Sequence, residues 1–308
     1  MQLFTNTNID FMTNRKVFYL IAGILIIVSL GYIIFNGGLK YGIDFEGGLA
    51  LEIAPIEVNG VYLTVFQIRE ALSKHGFSEA VIQELPRTES FLIRTKSDGQ
   101  SGNMVIEALR EEFPEHTNTE TLVRSLDDVG PRAGADLRQK AVNAVLLALL
   151  LILIYIWIRF RFAWGFFAAF ALLIDTIVTL GVLSIMKIEI GMTVLAGMLT
   201  IVGYSINNTI VIFDRIRENL KLYRKESDFS IVNRSINETL SRTILLTFTT
   251  LIACLSLLIF GGPVIFDFAF TFTVGILIGS FSSMLIATGL VLDIVITMKN
   301  KKTDQKKK

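Results

Sequence analysis

Residues 203–219 read GYSINNTIVIFDRIREN. Two adjacent amides, Asn207 and Asn208, interrupt an apolar run, and a burst of charge opens at Asp214. The run begins near residue 191, so it is long enough for a helix of about 20 residues to cross a bilayer before the charge starts. The stretch therefore reads as the end of a membrane span, with polar side chains at a depth where lipid offers them nothing.

The rest of the chain repeats the pattern. It is 52% hydrophobic and 19% charged, and the charge is segregated into blocks between long apolar runs, as in a polytopic membrane protein. Six runs meet the length for a span: 17–36, 139–158, 163–186, 191–213, 243–261 and 268–297. The first follows Arg15 and Lys16, exceeds a signal-peptide core in length, and is followed by no Ala-x-Ala-like site in NGGLKYG, so it reads as an uncleaved anchor.

Basic residues set the orientation. Arg15 and Lys16, Arg159 and Arg161, the group from Arg215 to Arg242, and the tail KNKKTDQKKK all fall on one side of a six-span layout. By the positive-inside rule that side is cytoplasmic, which puts residues 1–16 and the basic tail 298–308 in the cytoplasm. The basic clusters flank apolar spans and so give no case for nucleic acid.

Residues 39–138 then lie outside, between spans 1 and 2, and spans 2–6 occupy 139–297. The outside segment reads as a small α+β domain. Strands are expected at 48–53, AVIQEL, SFLIRT and ETLVRSL, with helices at TVFQIREALSKHG and NMVIEALREEF. The order β-α-β-β-α-β is that of a ferredoxin-like split βαβ sandwich. The fold class is thus six transmembrane helices plus one α+β extracytoplasmic domain.

Polar groups within the spans are the candidate functional residues. Asp175 stands twelve residues into span 3, about 18 Å along the helix and close to the midplane. A carboxylate there costs about 2.5–3.5 kcal/mol, so it must face protein or water; an ion relay and a neutral hydrogen-bonded acid both fit. Asn207 and Asn208 lie in the cytoplasmic half of span 4, where interhelical amide bonds alone would explain them. Arg242 opens span 5 at the membrane border, within reach of snorkelling. Gly275, Gly279, Ser283 and Ala287 recur every four positions along span 6 as a ridge for close helix packing. The DRIREN burst reads as a cytoplasmic interfacial helix carrying positive-inside charge.

No nucleophile elbow, HExxH, phosphate loop or dinucleotide fingerprint occurs, so the chain is expected to be no enzyme and to need no cofactor. His75 and His116 have no second ligand at metal spacing, and the lone Cys254 reads as a packing residue in a span.

Five stretches resemble the SecF family of bacterial protein-export subunits. They are YGIDFEGG after span 1, VGPRAGADLRQKA entering span 2, VGYSINNTIVIFDRIREN at span 4, SRT at span 5 and FGGPVI between spans 5 and 6. The resemblance runs over nearly the whole chain. It marks Asp44, Phe45, Gly47, Gly48, Gly203, Asp214 and Arg215 as motif residues that support structure. It implies a resistance-nodulation-division machine in the bacterial inner membrane. Such a subunit pairs with SecD in a twelve-span bundle and works with the SecYEG channel and SecA on unfolded preproteins. The proton-motive force supplies the drive, and lipid surrounds the spans.

The chain departs from the family pattern twice. Position 208 is Asn where the family usually has the Asp linked to proton conduction, and Ile174 stands where span 3 often has His before Asp175. An amide cannot take up and release a proton near neutral pH. Asp175, Asn207, Asn208 and Arg242 are the relay positions to compare with the structure. Two other readings remain open on sequence: half of a small-molecule or lipid exporter of the same superfamily, and a membrane assembly scaffold without transport.

Overall fold

The computed structural model of the 308-residue chain describes residues 7–58, 61–85, 90–96, 101–114, 123–160 and 162–294. Two compact units emerge. One comprises Met1–Lys40, Val145–Glu189 and Thr193–Lys308; the other comprises Tyr41–Ala144 with Ile190–Met192.

Six helices among the described residues are long and apolar enough to cross a membrane. They are α1 (Arg15–Phe35), α5 (Pro131–Arg159), α6 (Phe162–Ile185), α7 (Met192–Leu222), α8 (Asp228–Phe260) and α9 (Gly262–Phe281). A π-helical segment, Ser282–Ala287, continues α9, and the helical run extends to Ile294. Large apolar side chains cover the outside: Ile27, Ile158 and Phe260 are 72%, 82% and 84% exposed. Lipid, not water, is the solvent such a surface suits.

Small residues let these helices meet. A Cβ on Gly181 would fall 2.2 Å from Ser29 Oγ, and one on Gly275 would fall 2.1 Å from Ile201 Cδ1. The span-6 ridge thus closes against α7 of the same chain. At the other end, Phe213 packs edge-on against Phe160 and Trp164, and Met12 is fully buried in the same cluster.

The charged stretch after residue 213 differs from the sequence expectation. DRIREN is an uninterrupted continuation of α7, and α8 begins at Asp228, well before its membrane portion. Only Tyr223–Ser227 separate the two helices. Asn219 Nδ2 donates to Ser235 Oγ at 3.0 Å and Arg215 Nε to Glu238 Oε2 at 2.6 Å, so a zipped helical hairpin replaces the expected interfacial helix and loop. Paired charges explain why helix persists where the apolar pattern stops.

The second unit holds a four-stranded antiparallel sheet of order β4-β5-β1-β6. Its strands are β1 (Gly48–Ile53), β4 (Val81–Leu85), β5 (Ser90–Thr95) and β6 (Val123–Val129). Helices α3 (Val65–Lys74) and α4 (Ser101–Glu112) connect β1 to β4 and β5 to β6. Alternation on β1 puts Leu49, Leu51 and Ile53 into a core with Ile68, Leu72, Val105 and Leu109. Each such side chain contributes roughly 1.5–3 kcal/mol by burial. Thr64 and Gln67 form a capping box that starts α3.

Three details depart from the reading above. The last strand runs three residues further along than ETLVRSL. A two-stranded hairpin, β2 (Glu57–Val58) with β3 (Val61–Tyr62), and a short helix α2 (Ile43–Glu46) also appear. His75 caps the end of α3 beside Glu111 and Glu112. His116, Arg161 and the 298–308 tail lie outside the described residues.

Candidate functional site

Asp175 is fully buried in the six-helix unit. Ser205 Oγ, on α7, donates to its Oδ2 at 2.5 Å. Ser205 Oγ lies 3.4 Å from Ser283 Oγ, and Thr209 Oγ1 donates to Ser283 Oγ at 3.1 Å. The Ser205 carbonyl oxygen is an alternative acceptor for the Ser283 and Thr209 hydroxyls, at 3.2 and 3.0 Å. Ser282 Oγ, buried beside them, donates to the Gly279 carbonyl oxygen of its own helix at 3.3 Å. The result is a carboxyl and hydroxyl cluster drawn from three helices in the interior of the bundle.

Local structure explains the convergence. Ser205 and Thr209 are four residues apart and share one face of α7. Ser282 and Ser283 are adjacent, which in a regular α-helix would splay them by about 100°. Here both are buried at the start of the π-helical segment, whose wider turn is of a kind often found at functional sites. Gly279 makes room: a Cβ there would lie 3.1 Å from Ser205 Cβ and 3.4 Å from Asp175 Oδ2.

The cluster carries unspent hydrogen-bonding capacity. Asp175 Oδ1, Thr179 Oγ1 and Asn208 Nδ2 are buried and have no partner among the described residues. An orphaned buried polar atom costs about 1–3 kcal/mol, so each calls for an account.

Of the relay candidates, Asp175 and Asn208 point into the bundle, whereas Asn207 and Arg242 are exposed on its outer surface. The four therefore do not form one group within this chain. Asn207 ends an exposed stripe on α7 with Ala196, Thr200 and Gly203, all small or polar. Around Gly203 there is open space. Sequence reading passed over Thr179, Ser205, Thr209 and Ser282 and took Ser283 only as a packing residue, because lone hydroxyls in apolar spans commonly bond their own helix backbone. The only available signal was Ser205 and Thr209 at a four-residue spacing beside Asn208.

The motif residues outside the cluster also have partners. Asp214 pairs with Arg159, and Arg215 bridges Glu218 and Glu238. In the α+β unit, Asp44 Oδ2 accepts from the backbone N–H of Met192 at 2.7 Å, satisfying a free donor where α7 starts. Phe45 is buried with its ring edge-on to Tyr41. Gly47 has φ +77° and Gly48 φ +148°, and a Cβ on Gly47 would meet Pro131 Cα at 2.7 Å. A Cβ on Gly134 would meet Gly47 N at 2.8 Å. The YGIDFEGG and VGPRAG stretches are thus one knot, closed by glycines.

These features define a multi-span membrane protein that buries a carboxyl and several hydroxyls inside its bundle and carries one small α+β unit. Residues 110–297 match the family described as protein export membrane protein SecD/SecF, C-terminal. The chain is 40% identical to the protein translocase subunit SecF of Calditerrivibrio nitroreducens, over 93% of this chain and 94% of the relative. It is 36% identical to SecF of Escherichia coli O157:H7, over 92% and 87% of the two chains. The crystal structure of SecDF from Thermus thermophilus, a translocon-associated membrane protein, superposes with a TM-score of 0.81 at 36% identity. That match covers 96% of this chain and 39% of the solved one, so the chain spans about two fifths of the SecDF polypeptide. This chain belongs to the SecF family of protein-export membrane proteins.

Proposed function

We propose that the chain is the SecF half of a SecD–SecF pair that draws unfolded preproteins across the bacterial inner membrane using the proton-motive force. It acts with the SecYEG channel and SecA, surrounded by membrane lipid, and catalyses no bond chemistry of its own. The observation that carries the reading is Asp175: a fully buried carboxyl in the middle of a span, wired to hydroxyls of two other helices. The kinship with SecF subunits and with SecDF supports the partner and the substrate class.

In this reading both termini are cytoplasmic, and residues 39–138 form a ferredoxin-like domain outside. The strand order β4-β5-β1-β6, with a helix after β1 and another after β5, supports that assignment. The outward stripe from Ala196 to Asn207, with Arg242 beyond it, is the face offered to SecD. Small residues there allow close backbone approach, and the two polar side chains find partners across the contact. Because position 208 is an amide, proton exchange in this half rests on Asp175.

The test is affinity purification of the tagged chain from its native membranes, followed by peptide identification of what accompanies it. SecD in near-equal amount is expected; its consistent absence contradicts the reading. A cysteine at Glu79 should label with a membrane-impermeant reagent added outside and one at Lys225 should not; the reverse pattern inverts the orientation.

A further inference from the structure

The helical run that carries Ser282 and Ser283 has its phase fixed at both ends. Before the π-helical segment, the missing side chains of Gly275 and Gly279 let α9 close against Ile201 and Ser205 of α7. After it, a clasp holds the run to α1. Arg15 Nε donates to Asp293 Oδ1 at 2.8 Å, and Tyr19 OH donates to Asp293 Oδ2 at 3.0 Å. Arg15 Nη1 also donates at 3.2 Å to the carbonyl oxygen of Met12, whose side chain is fully buried. One turn before Asp293 stands Gly289, where a Cβ would lie 2.5 Å from the Tyr19 hydroxyl oxygen. Gly289 and Asp293 thus present one face to α1.

These two phases do not belong to one regular α-helix. A π turn carries an extra residue, so every later side chain lags by about 100°. Without it, each residue beyond Ala287 would take the azimuth its successor holds now. Thr288 would then push its side chain into the gap left at Gly289, and Leu292 would replace Asp293 in front of Arg15 and Tyr19. Leu292 would also leave the core in which it is buried with Ala287 and Val291. The π turn is the geometric consequence of fitting α7 at one end and α1 at the other.

We propose that Arg15 and Tyr19 are positioning residues: through Asp293 they set the phase of the last turns of span 6 and so hold the π turn in which Ser283 meets Ser205 and Thr209. Released from the clasp, the run relaxes toward regular α by a rotation that grows along the segment and reaches about 100° at its end. Packed helices have discrete alternative arrangements, so the change is a switch between two phases. It links the start of α1 to the cluster around Asp175, about 15 Å away along the α9 run.

Thiol reactivity reads the phase directly and is separate from proton coupling. In full-length chain in native membranes, with the lone Cys254 replaced by Ala, reporters are introduced singly as Leu292→Cys and Leu290→Cys and probed with a membrane-permeant maleimide. Position 292 is fully buried now and would move to the azimuth of Asp293, whose side chain is 40% exposed. Position 290 is half-buried now and would move to the buried place of Val291. Arg15→Gln or Tyr19→Phe should therefore speed labelling at 292 and slow it at 290, each by about tenfold or more, as loss of one charge-assisted hydrogen bond shifts a two-state equilibrium. Arg15→Lys keeps the charge and should stay near the parent. Deleting Met284 removes the extra residue and lets one α-helix satisfy both ends, so in that background Arg15→Gln should no longer change either reporter. Parental labelling in both Arg15→Gln and Tyr19→Phe overturns the clasp. Faster labelling at both reporters together shows fraying rather than rotation and overturns it too, as does a Met284 deletion that stays sensitive to Arg15→Gln.

Discussion

Gly279 sits where its absent side chain leaves Ser205 and Asp175 free to bond: a Cβ would come within 3.1 Å of Ser205 Cβ. Close packing and the polar cluster are thus one arrangement. The two glycine-bearing faces of the bundle should respond differently to substitution. Gly275→Leu drives a side chain into Ile201 and should sharply lower recovery of folded chain. Gly203→Leu enters open space and should leave this chain's own folding intact while weakening SecD recovery. Size-exclusion profiles and co-purification separate the two; an intact SecD complex with Gly203→Leu contradicts the assignment of that face.

The knot between the two motif stretches makes a sharper stability prediction. Gly47 combines a left-handed φ with a 2.7 Å approach to the Pro131 backbone, which cannot swing aside as a side chain could. Gly47→Ala should destabilise the α+β unit by at least about 1–3 kcal/mol. Limited proteolysis of the full-length protein in detergent would show this as earlier cleavage within residues 41–144. Gly76 also has a left-handed φ but open space around it, so Gly76→Ala should cost less.

On the surface of that unit, Lys74 Nζ donates to Glu112 Oε2 at 2.9 Å, tying α3 to α4. The hydrogen bond holds the Glu112 carboxyl below its usual value of 4.5 and lifts the Lys74 ammonium above 10.5. A lowered acid contributes stability that is complete above its unfolded pKa and lost as pH falls through the folded one. A raised ammonium contributes below its unfolded pKa and loses that contribution as pH climbs past the folded one. Both groups face solvent, so the effect is small. Glu112→Gln should flatten the acid limb of the unit's stability below about pH 4.5 and leave neutral stability almost unchanged. Thermal scans across pH would check it; an unaltered acid limb removes the pair from the account.

The amino-terminal arm is read by two amides on α8. Asn237 Oδ1 accepts from Ile9 N and Asn233 Oδ1 from Phe11 N, each at 2.9 Å, while both amide nitrogens donate to Ile9 O. Met12 is completely buried behind this clamp. A cysteine at Met12 should resist thiol reagents, and adding Asn233→Ala with Asn237→Ala should make it reactive. Equal reactivity with and without the clamp would show that burial there does not depend on it.

Much of the fold was legible because membrane spans are long signals. A run of about 20 apolar residues is hard to mistake, and all six appear as helices. The strands β4 and β5 were also readable, since alternation and turn residues bound them. The α7–α8 hairpin was not, because its helix beyond Asp214 is held by ion pairs and the Asn219–Ser235 bond rather than by an apolar stripe. The site divided the same way. Asp175 stood out as a charge in lipid, but its partners are hydroxyls whose relevance depends on which helix faces which, and on a π-helical turn with no composition of its own. That is tertiary information, and a single span does not carry it.

The central claim is that Asp175 carries the proton exchange of this half. The most direct measurement is proton-gradient-dependent preprotein movement in vesicles holding the chain with SecD, comparing the parent with Asp175→Asn. The amide keeps the shape and can still accept from Ser205, but exchanges no proton near neutral pH. The account predicts that Asp175→Asn assembles normally with SecD and loses the gradient-dependent part of the movement. Undiminished gradient-dependent movement in Asp175→Asn would contradict it.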